Sequence, residues 1–362
     1  MDKLSDPELQ KQERNNEIPR YSLLEKKMNA DVLDERFLKE RAPSYRRILY
    51  KWLPTSISQL IEALFILQNY DVILSQFERV SFPLTAIMRI FNIKKPHALI
   101  ISRITSVKPK RTKVKIQFIK YIKNTASLFL IWSSNQRRIA IEEYGIDPEK
   151  AVLLKRGVDQ NFWKPQPAEI DMICSVGMEA RDYPTLVEAL KPLNIPCHIA
   201  VGASRGEIFD TVKELYNIKE IPDNITIGPK YHRDLRNLYA RSRFVVVTLM
   251  ESDSDNGLTT ILESMAMGKP VIVTRTEGQI DVIQDGVTGI FVPQGDPKAL
   301  TNAISELWNN PEKCEKMGRA ARKYIEEVHN LEQFTDAIEQ EVRLVINSYD
   351  TQHATITESV KV

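Results

Sequence analysis

In the second half of the chain, short apolar runs alternate with amphipathic helical stretches, and this alternation restricts the fold more than any other feature. Six runs have the composition of buried strands: Met172–Val176, His198–Val201, Asn224–Ile227, Phe244–Leu249, Val271–Thr274 and Gly289–Val292. Helical stretches separate most of them. Strands and helices that alternate at this spacing form a parallel sheet with helices on both faces. The pattern therefore predicts a doubly wound α/β domain.

The first half of the chain contains similar runs, at Tyr70–Leu74, Ala98–Ile101 and Ser127–Trp132. Continuous apolar runs are typical of parallel strands that are covered on both faces. A shorter run at Ala30–Leu33 predicts another strand, and two prolines within Phe162–Pro167 predict a hinge. At about 100–200 residues per domain, the 362 residues suit two domains. We therefore predict an α/β fold of two doubly wound, Rossmann-like domains.

Composition excludes several classes of protein. Hydrophobic residues make up 43% of the chain and charged residues 27%, which is an ordinary globular balance. No charge-free run exceeds 13 residues, whereas a membrane-spanning helix needs about 20. The residues Met1–Asp6 lack the layout of a secretory signal, and the three cysteines and five histidines lack disulfide or metal-ligand spacing. We therefore expect a cytoplasmic protein without a bound metal.

A block of positive charge extends from Arg79 to Arg138, with 14 Lys or Arg and no Asp or Glu. Isoleucines recur at helical spacing in its densest part, Lys108–Lys123, which indicates a basic amphipathic helix. Such helices bind anionic membrane surfaces, so the block predicts peripheral attachment to the inner face of a membrane. The alternative is a solvated face over an ordinary core helix. Nucleic acid is not expected as a partner, because no nucleic-acid-binding module accompanies the block.

The segment Glu251–Pro270 follows a predicted strand and contains the most informative polar residues. Asp255 or Asn256 is expected to cap a helix, and Gly257 lets a ligand approach the backbone closely. The N-terminus of such a helix attracts anions. Glu263 lies about 9 Å farther along the helix axis, which suits a nucleoside diphosphate with its phosphates at the helix start and its ribose at the carboxylate. The alternative is an ordinary capped helix with a solvated Glu263.

Asp255 and Glu263 are separated by seven residues, and the distinctive run Leu262–Ile272 overlaps the second of them. Together they resemble the carboxylate-x7-carboxylate motif of glycosyltransferase family 4, the retaining enzymes also called glycosyl transferases group 1. The resemblance covers roughly residues 150–345. It continues in further segments: Lys155–Phe162, Ser175–Gly177, Gly278–Asp281 and Asp285–Pro293 with Asp296.

This resemblance implies a GT-B fold, in which two Rossmann-like domains face each other across a cleft. It assigns residues 1–163 to an acceptor-side domain reduced at its start and residues 164–330 to a nucleotide-sugar-binding domain. Residues 331–362 form a C-terminal helix that crosses back to the first domain, followed by a tail. The implied reaction moves a hexose-type sugar from a UDP- or GDP-sugar to an acceptor hydroxyl with retention of configuration. The basic block favours a lipid-linked or membrane-proximal acceptor.

The resemblance also assigns roles to individual residues. Glu263 binds the ribose, Asp255 faces hydroxyls of the transferred sugar, and Arg181 stabilises the departing diphosphate. Turns after the predicted strands supply the other donor-binding residues: Gly177, Pro229, Lys230, Tyr231, Asn256, Gly257, Leu258, Thr259 and Thr260. Of these, Thr259 and Thr260 are expected on the same side of the helix as Glu263. No metal or cofactor is expected, since Arg181 and the helix dipole offset the phosphate charge.

Several positions depart from the family pattern. The first carboxylate of the motif is usually a glutamate, and here it is Asp255. The lysine that commonly follows the basic residue is missing before Lys191, so Lys230 or Arg205 is the candidate for that charge. The start of the chain lacks the usual opening strand and glycine-rich loop. His97 precedes its predicted strand, and a structural role is expected for it.

Other functions compete with this interpretation. Asp255 and the reduced start also suit a catalytically idle subunit that binds nucleotide and supports a partner transferase. A sugar-nucleotide epimerase or hydrolase of the same fold would need no acceptor. The run Asp253-Ser254-Asp255 matches the metal-binding Asp-x-Asp of GT-A transferases, but it leads into a helix of a doubly wound domain. A nicotinamide dehydrogenase is disfavoured, because no Gly-x-Gly-x-x-Gly follows a strand.

Overall fold

The computed structural model describes residues 6–76, 78–101, 104, 110–201 and 210–359. The chain divides into two compact units, and each contains a parallel sheet. Unit 1 comprises Met1–Gln10, Ser22–Leu154 and Thr335–Val362, and unit 2 comprises Lys11–Tyr21 and Lys155–Phe334. The predicted α/β class with two doubly wound domains is confirmed.

The sheet of unit 1 has the strand order β1-β2-β3-β4, with every pair parallel. Its strands are β1 (Ile73–Ser75), β2 (His97–Ile100), β3 (Leu128–Ile131) and β4 (Ala151–Leu153). Helices in this part of the chain are α1 (Asp6–Arg14), α2 (Leu23–Met28), α3 (Ser44–Tyr50), α4 (Thr55–Ile66), α5 (Glu78–Ile90), α6 (Lys110–Ile122) and α7 (Ser134–Glu142), with a π-helix at Phe37–Arg41 and a 3₁₀ turn at Leu67–Asn69. The main core of the unit packs α5, α6 and α7 against the sheet around buried Leu99 and Phe129.

The sheet of unit 2 has the order β10-β9-β8-β5-β6-β7, again with every pair parallel. Its strands are β5 (Met172–Val176), β6 (Cys197–Ala200), β7 (Ile225–Ile227), β8 (Ser242–Val247), β9 (Val271–Thr274) and β10 (Gly289–Val292). Its helices are α8 (Tyr183–Leu190), α9 (Asp210–Tyr216), α10 (His232–Arg241), α11 (Leu258–Ala266), α12 (Pro297–Asn309) and α13 (Pro311–Val328), followed by α14 (Leu331–Ser359).

The order of these strands determines where a ligand can bind to unit 2. The chain runs from β5 outwards through β6 to β7 and returns to the other side of β5 with β8. In open parallel sheets, ligands bind beyond the carboxyl ends of the strands at such a reversal. Gly177 follows β5 and the loop before α11 follows β8, so both lie at this point.

The predicted strands of both units are confirmed with small shifts in their bounds, and the one predicted at Ala30–Leu33 is wrong. Residues 30–33 form no strand. Asp31 accepts hydrogen bonds from Arg41 Nη1 at 2.6 Å and from the Tyr70 hydroxyl at 2.8 Å, so side chains hold this segment outside the sheet. Residues 30–32 are exposed, so the short run indicated neither the burial nor the pairing that a strand of the sheet requires.

The compact units differ from the predicted ranges 1–163, 164–330 and 331–362. After its short segment Lys11–Tyr21, unit 2 continues from Lys155. The residues that connect β4 to β5 belong to it because they pair with other residues of unit 2. Val158 forms a parallel bridge with Asn330, and His329 Nδ1 lies 2.8 Å from the Arg156 carbonyl oxygen. Helix α14 has its first four residues in unit 2 and its remainder in unit 1.

His97 has the structural role that was expected. It is fully buried at the start of β2, with Nε2 2.6 Å from the Ser75 hydroxyl and Nδ1 3.2 Å from that of Thr85. Burial lowers the pKa of His97 to about 3. The ring is therefore neutral at physiological pH and packs as part of the core.

The predicted basic amphipathic helix is α6, in which Ile116, Ile119 and Ile122 are buried. The side chains of Lys110–Lys113 lie outside the described residues, as do Lys108 and Arg103. Several described cations of the block donate hydrogen bonds to backbone carbonyls of unit 1: Arg89 to Tyr121, Lys95 to Tyr70, Lys123 to Gly145 and Arg137 to Ala151. Part of the charge therefore stabilises the fold of unit 1.

Among the described residues, no helix is both long enough and apolar enough to span a membrane. Within the same part of the chain, no group of three or more His, Cys, Asp or Glu is placed to hold a metal ion. Cys174, Cys197 and Cys314 are free and buried.

Candidate functional site

Helix α11 begins at a glycine that has no side chain to cap it. Gly257 precedes the helix with φ +84°, and a Cβ there would lie 2.9 Å from Val247 Cγ1. The expected cap by Asp255 or Asn256 is wrong. The backbone carbonyl of Asp255 instead accepts a hydrogen bond from the backbone amide of Leu258 at 3.2 Å. The backbone amide of Asn256 donates to the Ser254 carbonyl at 2.8 Å. Without a side-chain cap, the amides of the first turn are suited to an anion.

The buried guanidinium of Arg181 lies beside this helix start. The side chain is 4% exposed and donates to the Val176 carbonyl at 3.0 Å and the Glu179 carbonyl at 2.8 Å. Gly177 has φ +126°, and a Cβ there would overlap the guanidinium. At Gly257, a Cβ would lie 3.7 Å from Arg181 Nη1. The two glycines thus keep space around the cation clear of side chains.

Among the described residues, no carboxylate pairs with Arg181. Burial lowers its pKa, and the groups that oppose this are the hydroxyls of Tyr183 and Tyr239. A buried cation without an anionic partner is unfavourable, and so is a cation at the positive end of a helix dipole. A bound anion would relieve both costs. The surroundings of Arg181 are therefore suited to bind an anion.

Thr260 lies on a different side of α11 from the one expected. It is 5% exposed, its hydroxyl accepts from Arg181 Nη2 at 3.2 Å, and it lies 3.3 Å from the Val176 carbonyl oxygen. Helix α11 is buried over most of its circumference, so a polar residue also faces inwards where a buried partner satisfies it. Thr259 is exposed, as expected, and Leu258 is buried.

Glu263 lies on α11 beyond the first turn and is half-buried. Its Oε2 accepts from the Tyr239 hydroxyl at 3.0 Å. Burial raises the pKa of Glu263 to about 7, against the opposing effects of the Tyr239 hydrogen bond and the charge of Arg156. Tyr239 is fully buried and packs edge-on against Trp163, with the ring centroids 5.6 Å apart. The carboxylate is thus held in place while retaining acceptor capacity for a ligand hydroxyl.

The turn after β7 places Pro229, Lys230 and Tyr231 at the surface. Tyr231 is 44% exposed and directly precedes α10. The next residue, His232, has φ +43°, which is unusual for a residue other than glycine. These residues follow the carboxyl end of a strand, as predicted. Arg205, the other candidate for the missing lysine, lies outside the described residues.

Asp255 and Asn256 belong to a loop that packs closely against a second loop. A Cβ at Gly278 would overlap the Ser254 carbonyl, and the Gly278 amide donates to the Ser252 carbonyl at 3.0 Å. Gln279 donates to the Asn256 carbonyl at 3.0 Å and is 2% exposed. The loop that holds Asp255 is therefore fixed by residues beyond β9.

The structure thus brings Gly177, Arg181, Gly257 and Thr260 into direct contact and places Glu263 farther along the same helix. Sequence reasoning assigned no role to Tyr239, Arg156 or Gln279, although the segments Lys155–Phe162 and Gly278–Asp281 include the last two. Tyr239 lies within α10 and Arg156 lies between β4 and β5. No spacing in the sequence links either residue to Glu263. Gly278 was part of a recognised segment, and its close contact with the Asp255 loop explains why a glycine stands there.

Solved structures with the same fold include a glycosyltransferase from Rickettsia africae ESF-5. Sucrose-phosphate synthase from Thermosynechococcus elongatus superposes with a TM-score of 0.68 at 19% identity, over 81% of this chain and 79% of that one. Alr3699/HepE of Anabaena, solved in complex with UDP and glucose, gives 0.66 at 18% identity, over 87% and 84%. These likenesses define the class of the fold, which is GT-B.

Residues 178–324 match the family Glycosyl transferases group 1. A curated relative, the D-inositol 3-phosphate glycosyltransferase of Gordonia bronchialis, is 25% identical over 213 residues, which cover 52% of this chain and 46% of that protein. The chain spans about half, or less, of the length of the curated relatives it matches. The family match includes Arg181 and the whole of α11, and it begins one residue after Gly177.

Proposed function

We propose that this chain is a retaining glycosyltransferase that transfers a sugar from a nucleotide-sugar to an acceptor hydroxyl, with the donor bound by unit 2. The observation that carries the proposal is the position of Arg181. This buried cation, which no described carboxylate pairs with, lies between two glycines of positive φ at the start of α11. The family match over residues 178–324 supports the same activity.

In the proposed complex, the diphosphate of the donor binds beside Arg181. It accepts hydrogen bonds from Arg181 and from amides of the first turn of α11, next to Thr259. The ribose hydroxyls donate to Glu263, which Tyr239 orients. Asp255 and Asn256 face the sugar, and the turn Pro229–Tyr231 borders the base. The solved complex of Alr3699/HepE with UDP and glucose supports a donor of this chemical class.

The proposed reaction breaks the bond between the anomeric carbon and the diphosphate oxygen while the acceptor oxygen bonds to the same face of that carbon. The leaving phosphate oxygen takes the proton of the acceptor hydroxyl, so atoms and charge balance. Negative charge grows on the diphosphate as the bond breaks, and Arg181 and the helix dipole stabilise it. These groups supply the stabilisation for which other transferases use a divalent ion, and the proposed reaction is metal-independent.

The acceptor is proposed to be lipid-linked or membrane-proximal, with the basic block Arg79–Arg138 in contact with anionic lipid. The cations that bond to carbonyls of unit 1 weaken this part of the proposal, whereas Lys94 and Lys120 remain exposed. Flotation with neutral and acidic vesicles tests it. Equal binding to both would remove its support.

Thermal unfolding with UDP, GDP or ADP in the presence of EDTA tests the donor site. A ligand at 100 times its Kd adds about 2.7 kcal/mol, and in a unit of the size of unit 2 each kcal/mol raises Tm by about 2–4 °C. We expect a shift with one of the nucleotides that Glu263→Ala abolishes and the exposed control Glu214→Ala retains. No shift with any nucleotide would contradict the proposal.

Turnover distinguishes the transferase from its competitors. A transferase releases nucleoside diphosphate from its donor only as fast as it glycosylates an acceptor. An epimerase or hydrolase would consume the donor without an acceptor. An idle subunit would bind the donor and release nothing with any member of a broad acceptor panel.

A further inference from the structure

The segment Lys11–Tyr21 belongs to unit 2, although the rest of that unit begins at Lys155. Ile18 is 6% exposed and Pro19 is buried, so the segment packs against the unit through apolar contacts. The Tyr21 amide donates to the Pro19 carbonyl at 2.8 Å, which closes a tight turn. The start of the chain thus contributes residues to the unit that contains the candidate site.

Arg20 fixes this turn by contacts with two carboxylates. Its backbone amide and its Nη2 each lie 2.7 Å from an oxygen of Asp159, and its Nη1 lies 2.6 Å from Glu332 Oε1. The Asp159 residue is 5% exposed, and Gln160 also donates to Glu332, at 2.5 Å. Bidentate arginine–carboxylate contacts of this kind restrict geometry strongly. Arg20 therefore holds the next residue, Tyr21, in a defined position.

Tyr21 lies beside the part of the candidate site that would border the base. Its ring is edge-on to His232, which follows the turn Pro229–Tyr231, with the centroids 6.4 Å apart. Burial of its hydroxyl, followed by the negative charges of Glu263 and Asp159, raises the pKa of Tyr21. Yet 62% of the side chain is exposed. Much of the ring is therefore open to a ligand beside the turn Pro229–Tyr231.

We propose that Tyr21 forms a wall of the nucleoside subsite and that its open ring face stacks on the base of the bound nucleotide. The inference rests on the proposed function, since the base exists only if the donor is a nucleotide-sugar. An exposed aromatic ring is worth most where its position is fixed in advance, because little side-chain freedom is then lost on binding. Arg20 supplies that fixation and acts as a positioning residue.

Calorimetric titration of the full chain with UDP, GDP and ADP tests this assignment. We expect Tyr21→Ala to weaken binding of the preferred nucleotide about tenfold, or about 1.4 kcal/mol, in keeping with the loss of one base–aromatic stack. Tyr21→Phe retains the ring and should stay within about twofold of the wild type. Tyr216→Ala is the matched control, because Tyr216 is an exposed tyrosine of the same unit, 59% exposed at the end of α9.

The outcomes separate this inference from the function on which it rests. If the wild type binds none of the nucleotides, the proposed function fails and the inference fails with it. If Glu263→Ala abolishes binding while Tyr21→Ala binds like the wild type, only the inference is overturned. Tighter binding by Tyr21→Ala would show that the segment blocks the site, and equal weakening by Tyr21→Phe would assign the contact to the hydroxyl. Either result would overturn stacking.

The nucleotide affinity of Arg20→Gln, alone and combined with Tyr21→Ala, gives a second test. A purely structural role of Arg20 would not make its effect depend on Tyr21. If the clamp positions Tyr21, then Arg20→Gln should weaken nucleotide binding in the wild type and have no further effect in the Tyr21→Ala background. Additive losses in the double variant would show that Arg20 acts independently of Tyr21, and would overturn its positioning role.

Discussion

Glu62 in unit 1 and Arg181 in unit 2 are both buried and ionisable, and their surroundings differ in an instructive way. Glu62 is 1% exposed and accepts hydrogen bonds from Arg46 Nε at 2.8 Å and Nη2 at 2.9 Å, and from the Tyr50 hydroxyl at 2.6 Å. Arg181 has two backbone carbonyls and a threonine hydroxyl as its partners. The carboxylate of unit 1 is fully compensated within the fold. The cation of unit 2 is solvated by neutral groups only.

This difference separates a structural charge from one that is available to a ligand. A buried ion pair is satisfied within the protein, and loss of one partner mainly costs stability. A buried cation held by carbonyl and hydroxyl dipoles retains most of its field, and a ligand with negative charge can use that field. Substitutions at Glu62 should therefore affect folding, whereas substitutions at Arg181 should affect turnover.

The largest expected effect is on stability, at Glu62. Glu62→Ala leaves Arg46 partly buried without its carboxylate, and removal of one partner of a buried pair costs about 3–5 kcal/mol. We expect this loss in denaturant unfolding followed by circular dichroism. The control Glu142→Ala removes a carboxylate from an exposed pair with Arg138 in the same unit, and should cost less than about 0.5 kcal/mol. Similar losses in the two variants would refute the contrast.

The next effect is on turnover, at Arg181. Arg181→Ala removes the charge that we propose stabilises the departing diphosphate, and loss of one such group lowers kcat by about 10²–10³, or about 2.7–4 kcal/mol. The free energy of unfolding should change less than in Glu62→Ala, because no described carboxylate loses a partner. Measured kcat and denaturant midpoints together test this. A variant that unfolds as readily as Glu62→Ala while keeping its activity would make Arg181 a structural residue.

A smaller effect is expected at Glu263, where pH changes the charge. The folded chain raises the pKa of Glu263 to about 7, above its ordinary value of 4.5. Between these values the folded state keeps a proton that the unfolded state has lost, so stability falls as pH rises through this window. Glu263→Gln cannot lose that proton and should be more stable than the wild type by about 1–3 kcal/mol at pH 8. The gap should close at pH 4.5, which a pH series of unfolding curves would show.

The same pKa gives a test on binding. Ribose hydroxyls that donate to Glu263 favour its charged form and lower its pKa. Nucleotide binding near pH 6.5 should therefore release a fraction of a proton from the wild type and none from Glu263→Gln. Calorimetry in two buffers of different ionisation heat measures this release. Proton uptake by the wild type would place the ribose elsewhere.

The strands of unit 2 could be predicted from the sequence because most of their residues are buried. Runs such as Val271–Thr274 and Gly289–Val292 contain few polar residues, and the structure places β9 and β10 at those positions. Local composition was sufficient for these elements, since burial of a strand does not depend on which neighbours bury it.

The residues that the sequence placed wrongly depend on contacts between distant segments. Thr260 faces inwards because Arg181 and the Val176 carbonyl provide partners from another part of the chain. Asp255 does not cap α11, since its loop is held by residues around Gly278. No prediction was made for Tyr21, whose place beside His232 depends on the contact of Arg20 with Asp159. None of these contacts leaves a periodic or local signal in the sequence.

The smallest effect concerns the hydroxyl of Thr260, the side-chain acceptor that the described structure provides for Arg181. Thr260→Val removes a hydrogen bond to a charged group and keeps the shape of the side chain, at a cost of about 1.5 kcal/mol. We expect kcat/KM to fall about tenfold, because the guanidinium loses one of the contacts that orient it towards the diphosphate. Thr260→Ser keeps the hydroxyl and should retain most of the activity. If Thr260→Val is as active as the wild type, carbonyls alone hold Arg181 in place, and its contrast with Glu62 becomes sharper still.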